Sequence, residues 1–102
     1  MYRDFLKWVE TKRYGLKKLG ITTENINVTE ESLLNPSTSV DHFSQVCIGR
    51  VSVWETGEMD VEVLHFETEK RLLFEHFELG AEPDYDEILR GYFQVLISGV
   101  TD

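Results

Sequence analysis

Apolar residues recur along residues 2–19 at near-helical spacing, as Phe5, Leu6, Val9, Leu16 and Leu19, and predict an amphipathic N-terminal helix. Lys17 and Lys18 lie where cations favour a helix C-terminus, and Gly20 supplies a stop just beyond them. Trp8 and Tyr14 either widen the apolar stripe or sit at its margin. The period then shortens to two. In residues 24–30, Ile26 and Val28 alternate with polar neighbours, which predicts a short, half-buried edge strand. Residues 33–41, LLNPSTSVD, place Pro36 among small polar residues and read as a loop, the longest in the domain.

The centre of the chain carries the clearest pattern. In residues 46–54 and again in 59–66, β-branched and aromatic residues alternate with polar ones, and Glu55-Thr56-Gly57-Glu58 separates the two runs. That is a hairpin. A three-residue loop of Glu55, Thr56 and Gly57, with Gly57 in the left-handed region, sets Trp54 opposite Glu58. It pairs Val53 with Met59 and Val51 with Val61 on one face, and Ser52 with Asp60 and Arg50 with Glu62 on the other. A two-residue Thr56-Gly57 turn would oppose Val53 to Asp60 and mix the faces, so the hydrophobic pattern rejects it. Gly49 interrupts the first strand and marks either a bulge or a close backbone approach.

A further strand over residues 71–79 follows the turn Glu67-Thr68-Glu69-Lys70 and is apolar on both faces, at Leu72, Leu73, Phe74 and Phe77. Two apolar faces suggest a central position, or a helix over part of each side of the sheet. After Gly80, Glu82 and Pro83 begin a second helix with Asp84 and Glu87 as acids in its first turn. Its wide stripe is Ile88, Leu89, Tyr92, Phe93 and Leu96, and it ends near Ser98 and Gly99. The expected fold is therefore α+β. A three-stranded antiparallel meander and a short edge strand carry an N-terminal and a C-terminal helix.

At 102 residues the chain fits one domain, which buries roughly 65% of its unfolded surface without staples. The single cysteine, Cys47, cannot close an internal disulfide and sits in an apolar run, so a small buried thiol in a reducing compartment is expected. The first residues show no unbroken apolar stretch, which argues against a signal peptide or membrane span and for a cytoplasmic protein.

Charge narrows the partners. The net charge is −9, from 19 acidic and 10 basic residues, which disfavours direct nucleic-acid binding. Six of the basic residues (Arg3, Lys7, Lys12, Arg13, Lys17 and Lys18) lie within residues 1–18, leaving 4 basic and 17 acidic residues for the rest. Such a surface either aids solubility or captures a basic protein at steered rates, and nucleases are commonly basic.

Catalytic constellations are weak. His42, His65 and His76 match no metal-ligand spacing, and no glycine-rich phosphate loop is present. Cys47 has no neighbour to lower its pKa. No metal, cofactor or catalytic residue is expected. The outer face of the hairpin instead combines Trp54 and Arg50 with Glu58, Asp60 and Glu62, a composition enriched in binding hot spots. The alternative for Trp54 is a core position under a helix or loop.

The stretch from Gly49-Arg50-Val51-Ser52-Val53-Trp54 through Glu55-Thr56-Gly57-Glu58 to Met59-Asp60-Val61-Glu62-Val63-Leu64 resembles the TriTu-type immunity proteins of bacterial contact-dependent growth inhibition. Phe74-Glu75-His76-Phe77-Glu78-Leu79 and Asp86-Glu87-Ile88-Leu89 extend the resemblance, which covers residues 46–96. It implies a non-catalytic protein that binds the C-terminal nuclease domain of a cognate toxin, one that cuts transfer RNA with the help of elongation factor Tu. The elongation factor would meet this chain only through the toxin. Trp54, Glu58, Asp60, Glu62, Glu67 and Glu69 are the toxin-binding candidates, chosen from this sequence and not carried over from the family. Two other classes stand beside this reading. One is a non-enzymatic adaptor or oligomerising domain using the same hairpin face, and the other is a small hydrolase or metal-dependent enzyme using His65 or His76.

Overall fold

The N-terminal helix α1, Tyr2–Lys18, turns Tyr2, Phe5 and Val9 into the core, with Leu6, Trp8 and Leu16 half-buried. Its end is a Schellman motif: Gly20, at φ 83°, donates its N–H to the Lys17 carbonyl, and Ile21 donates to that of Leu16. Leu19 and Tyr14 lie outside the buried stripe and are exposed, because the chain has already turned away at Leu19. In this computed structural model, which describes residues 1–29 and 34–101, the remaining elements are β1 Thr22–Val28, β2 Ser37–Phe43, β3 Cys47–Trp54, β4 Glu58–His65, β5 Arg71–Glu78, α2 Tyr85–Ile88 and α3 Arg90–Ser98.

Among the described residues the strands form one antiparallel sheet in the order β1-β2-β3-β4-β5, so the meander has five strands where three and an edge strand were expected. The difference is β2. Residues 37–41 of the expected loop pair with β3 from Ser37↔Trp54 to Asp41↔Arg50, while Leu33 lies outside the described residues. Thr38, Val40 and His42 are buried at period two, and tertiary pairing overrides the turn preference of Pro36 and the serines. The strand expected over residues 24–30 lies at the sheet edge as β1, with its last residue outside the description.

β3 and β4 adopt the expected register, Val53↔Met59, Ser52↔Asp60, Val51↔Val61 and Arg50↔Glu62. Gly57 closes the turn at φ 98°, with its N–H on the Trp54 carbonyl. β5 is an edge strand of a sheet that carries its helices on one face, which corrects both expected explanations, a central position and a helix over part of each side. A register shift between Val63 and Leu64 lets both Leu72 and Leu73 reach the α3 side, so part of the two-faced pattern reflects a bulge.

The second helix is bent at Leu89 into α2 and α3, with hydrogen bonds from Leu89 to Tyr85 and from Phe93 to Leu89 continuing across the bend. Asp84 is its N-cap and accepts from the Glu87 N–H, and Gly99 closes it at φ 71°. Helices α1 and α3 cover one face of the sheet. There Phe5, Val9, Leu89, Tyr92 and Leu96 meet Val40, Cys47, Val51, Val53, Met59, Val61 and Val63, all buried. Each such side chain contributes roughly 1.5–3 kcal/mol on burial. The opposite face of the sheet is left uncovered among the described residues, because all the core contacts of the helices fall on one side. No helix of the described residues is long and apolar enough to cross a membrane.

Candidate functional surface

Alternation along the strands decides what the uncovered face presents. Residues of β3 that face away from the helices are Ile48, Arg50, Ser52 and Trp54, and those of β4 are Glu58, Asp60, Glu62 and Leu64. β2 adds Asp41 and Phe43 from one side, and β5 adds Phe74, His76 and Glu78 from the other. The result is a polar band across the middle of the sheet with aromatic residues at both ends.

The band is held by charge. Arg50 grips Asp41 with two hydrogen bonds, Nε to Oδ1 at 2.7 Å and Nη2 to Oδ2 at 3.1 Å, and Asn25 adds a third at 2.9 Å. Burial raises the pKa of the Asp41 carboxyl, but these donors outweigh it and leave the group below its ordinary value. On the other side Arg71 reaches Glu62 at 3.3 Å and lies over the Phe74 ring at 4.8 Å. His76 Nδ1 stands 2.6 Å from Asp60 Oδ1, and this hydrogen bond raises the pKa of the imidazole. Glu58 and Glu78 face one another directly in the register, an unfavourable like-charge pair.

At the Trp54 end, the indole stands on the uncovered face at the strand terminus, half-buried and away from the helices. At the other end Phe43 stacks on Phe66 with centroids 6.1 Å apart, beside Ile48 and Leu64. Phe66 and Phe74 remain 47% and 53% exposed. Exposed aromatic residues and an arginine are the types enriched at protein interfaces. The two hollows beside Arg50 measure about 180 and 160 Å³. Both are smaller than the roughly 300 Å³ at which small-molecule sites begin.

Of the sequence-predicted residues, Trp54, Glu58, Asp60 and Glu62 share this face. Glu67 and Glu69 do not join them. They sit, exposed, in the β4–β5 turn at the far end of the hairpin, with Glu69 at φ 60°. The seven residue steps from Cys47 to Trp54 separate the two ends by roughly 23 Å. Sequence reasoning missed Asp41, Phe43, His76 and Glu78, because their membership depends on strand order. Asp41 alone carried a signal, as an acid alternating with Val40 and His42 and facing the lone arginine of β3.

The histidines do not converge. His42 is buried on the helix side with Nδ1 2.9 Å from the Tyr92 hydroxyl, and burial drives its pKa down to about 4. His65, paired with Cys47, lies on the helix face near Gly99, while His76 is on the uncovered face. Burial raises the pKa of the Cys47 thiol, which disfavours the thiolate that nucleophilic chemistry needs. No cluster of three or more metal-ligating side chains occurs among the described residues.

Comparison with known proteins adds one match: the family model described as Immunity protein TriTu spans residues 3–95 of the chain. No curated protein matches it.

Proposed function

The chain belongs to the TriTu family of immunity proteins, and from that premise we propose that it neutralises its cognate toxin by covering the toxin with the uncovered face of the sheet. Immunity proteins act by binding a toxin and are in general non-enzymatic, so the partner is a protein and the chemistry is recognition. The observation that carries the choice of surface is the face bearing Trp54, Glu58, Asp60 and Glu62 opposite the helices. We take the toxin to be a basic nuclease domain that cuts transfer RNA, with elongation factor Tu reaching this chain only through the toxin. An acidic face supports this reading, because it competes with a polyanionic substrate for the same basic site. Trp54 would anchor one end and Phe43 and Phe66 the other, with Phe74 beside Glu62 in the central band. Glu67 and Glu69 would act at the rim, apart from the central band.

Coexpression of the chain with the toxin domain encoded beside it tests the reading. The expected outcome is growth with intact transfer RNA, lost when Trp54→Ala and Asp60→Asn are combined in a chain that still folds. Truncating an aromatic hot spot at an interface costs about 2 kcal/mol or more, a loss of roughly thirtyfold in affinity. Continued killing in the presence of soluble, folded native chain would count decisively against toxin neutralisation. Full protection by the double variant would move the interface elsewhere on the molecule.

A further inference from the structure

β5 closes one side of the sheet, and its outer rim has no strand beside it among the described residues. The N–H of Leu79 bonds to the Gly57 carbonyl at 2.7 Å, so Phe77, Glu75 and Leu73, which alternate with it, aim their backbone groups at β4. The N–H and C=O groups of Phe74, His76 and Glu78 therefore point outward. From Leu73 to Glu78 the register with β4 runs without a shift. That makes a regular template of roughly 20 Å. The opposite edge differs: β1 is interrupted between Glu24 and Asn27, with Asn25 at φ 52°, and a bulge of this kind blunts an edge.

Two chemistries flank the rim of β5. On the helix side a groove of about 910 Å³ runs between β5 and α3, lined by uncharged residues that include Leu72, Leu73, Val95, Ile97 and Val100. Ile97 and Val100 are 50% and 64% exposed there. On the uncovered side Glu78 opposes Glu58, with Asp60 one step along β4. That like-charge pair costs stability in the free protein, and a cation brought from outside would relieve it.

We infer that the β5 edge receives an added strand from the toxin, an extended segment with apolar side chains toward α3 alternating with basic ones toward Glu58, Asp60 and Glu78. The inference rests on the toxin-binding reading above. Charge selects this occupant over a second copy of the chain, since two copies would bring together net charges of −9.

The probe is the complex of the native chain with the toxin domain encoded beside it. In the free protein the amides of Phe74, His76 and Glu78 exchange quickly with solvent, and in the complex they slow by at least about tenfold. His76→Pro removes an outward donor at an edge position where proline is tolerated, and His76→Ala removes the same side chain but keeps the donor. The proline variant binds the toxin at least about tenfold more weakly than the alanine variant. If the proline variant does not fold, exchange in the native complex decides by itself. Toxin binding with β5 amides still exchanging quickly overturns the added strand and leaves the toxin-binding reading intact. Failure of the native chain to bind the toxin overturns both. Slow exchange already present in the free protein, with a dimeric mass by light scattering, would assign the rim to a second copy and also overturn the inference.

Discussion

At position 49 a single methyl group would reach into the layer between helix and sheet. A Cβ built on Gly49 lies 2.7 Å from Cε1 of the buried Tyr92, whose hydroxyl is committed to His42. Gly49→Ala must therefore displace that ring, and the expected loss is roughly 1–3 kcal/mol, read as a lower urea midpoint with unchanged slope. The sequence marked Gly49 as a bulge or a close approach, and the close approach is what occurs. It could not name Tyr92, which arrives from 43 residues away. His42 supplies the second prediction at this scale. Its folded-state pKa of about 4 lies below the ordinary 6.5, so the unfolded chain takes up the proton first as pH falls. Stability is lost from about pH 6.5 down to about 4, by on the order of 3 kcal/mol, and this contribution is constant below that window. Ring-proton shifts followed against pH should show His42 titrating near 4 and His76 above its ordinary value. A His42 that titrates near 6.5 would contradict its burial against Tyr92.

Elements whose determinants are local could be read from the chain, and those whose determinants are distant could not. The end of α1 is local: Gly20 at φ 83° closes a Schellman motif, and open space surrounds it. Gly20→Ala should therefore cost about 1 kcal/mol through backbone conformation alone, with Gly20→Asn costing less, both measured by thermal unfolding. A large loss would mean that a side chain at this position collides with something. The β3–β4 register is also local, because only one turn length keeps Val51, Val53, Met59 and Val61 on one face. β2 is the opposite case. Its Ser37, Thr38 and Ser39 have turn-like composition, and pairing with β3 and the Arg50 grip on Asp41 make it a strand. β5 misled in another way, since a bulge turned Leu72 toward the same side as Leu73 and made an edge strand look central.

Across the whole molecule the candidate surface was legible only as far as one hairpin reaches. Period-two alternation placed Trp54, Glu58, Asp60 and Glu62 together, whereas Phe43, Phe74, His76 and Glu78 join them only once β2 and β5 are known to flank that hairpin. On the proposed reading the same geometry sets folding against recognition. Glu58 and Glu78 repel each other in the free protein, so Glu58→Gln should raise the denaturation midpoint while weakening toxin capture. Basic residues concentrated in α1 lie on the helix layer, while the uncovered face carries Asp41, Glu58, Asp60, Glu62 and Glu78 against Arg50 and Arg71. On the proposed reading a basic toxin would be steered toward the sheet over distances longer than any contact, and such steering is screened beyond about 8 Å at 0.15 M ionic strength. Stopped-flow association with the toxin domain should therefore slow by roughly tenfold or more between about 0.05 and 0.5 M salt, with dissociation changing much less. On the same reading the aromatic ends would hold the complex once it has formed, and apolar contacts are indifferent to salt. An association rate that does not respond to salt would remove the acidic face from the mechanism and leave Trp54 and the phenylalanines to account for recognition.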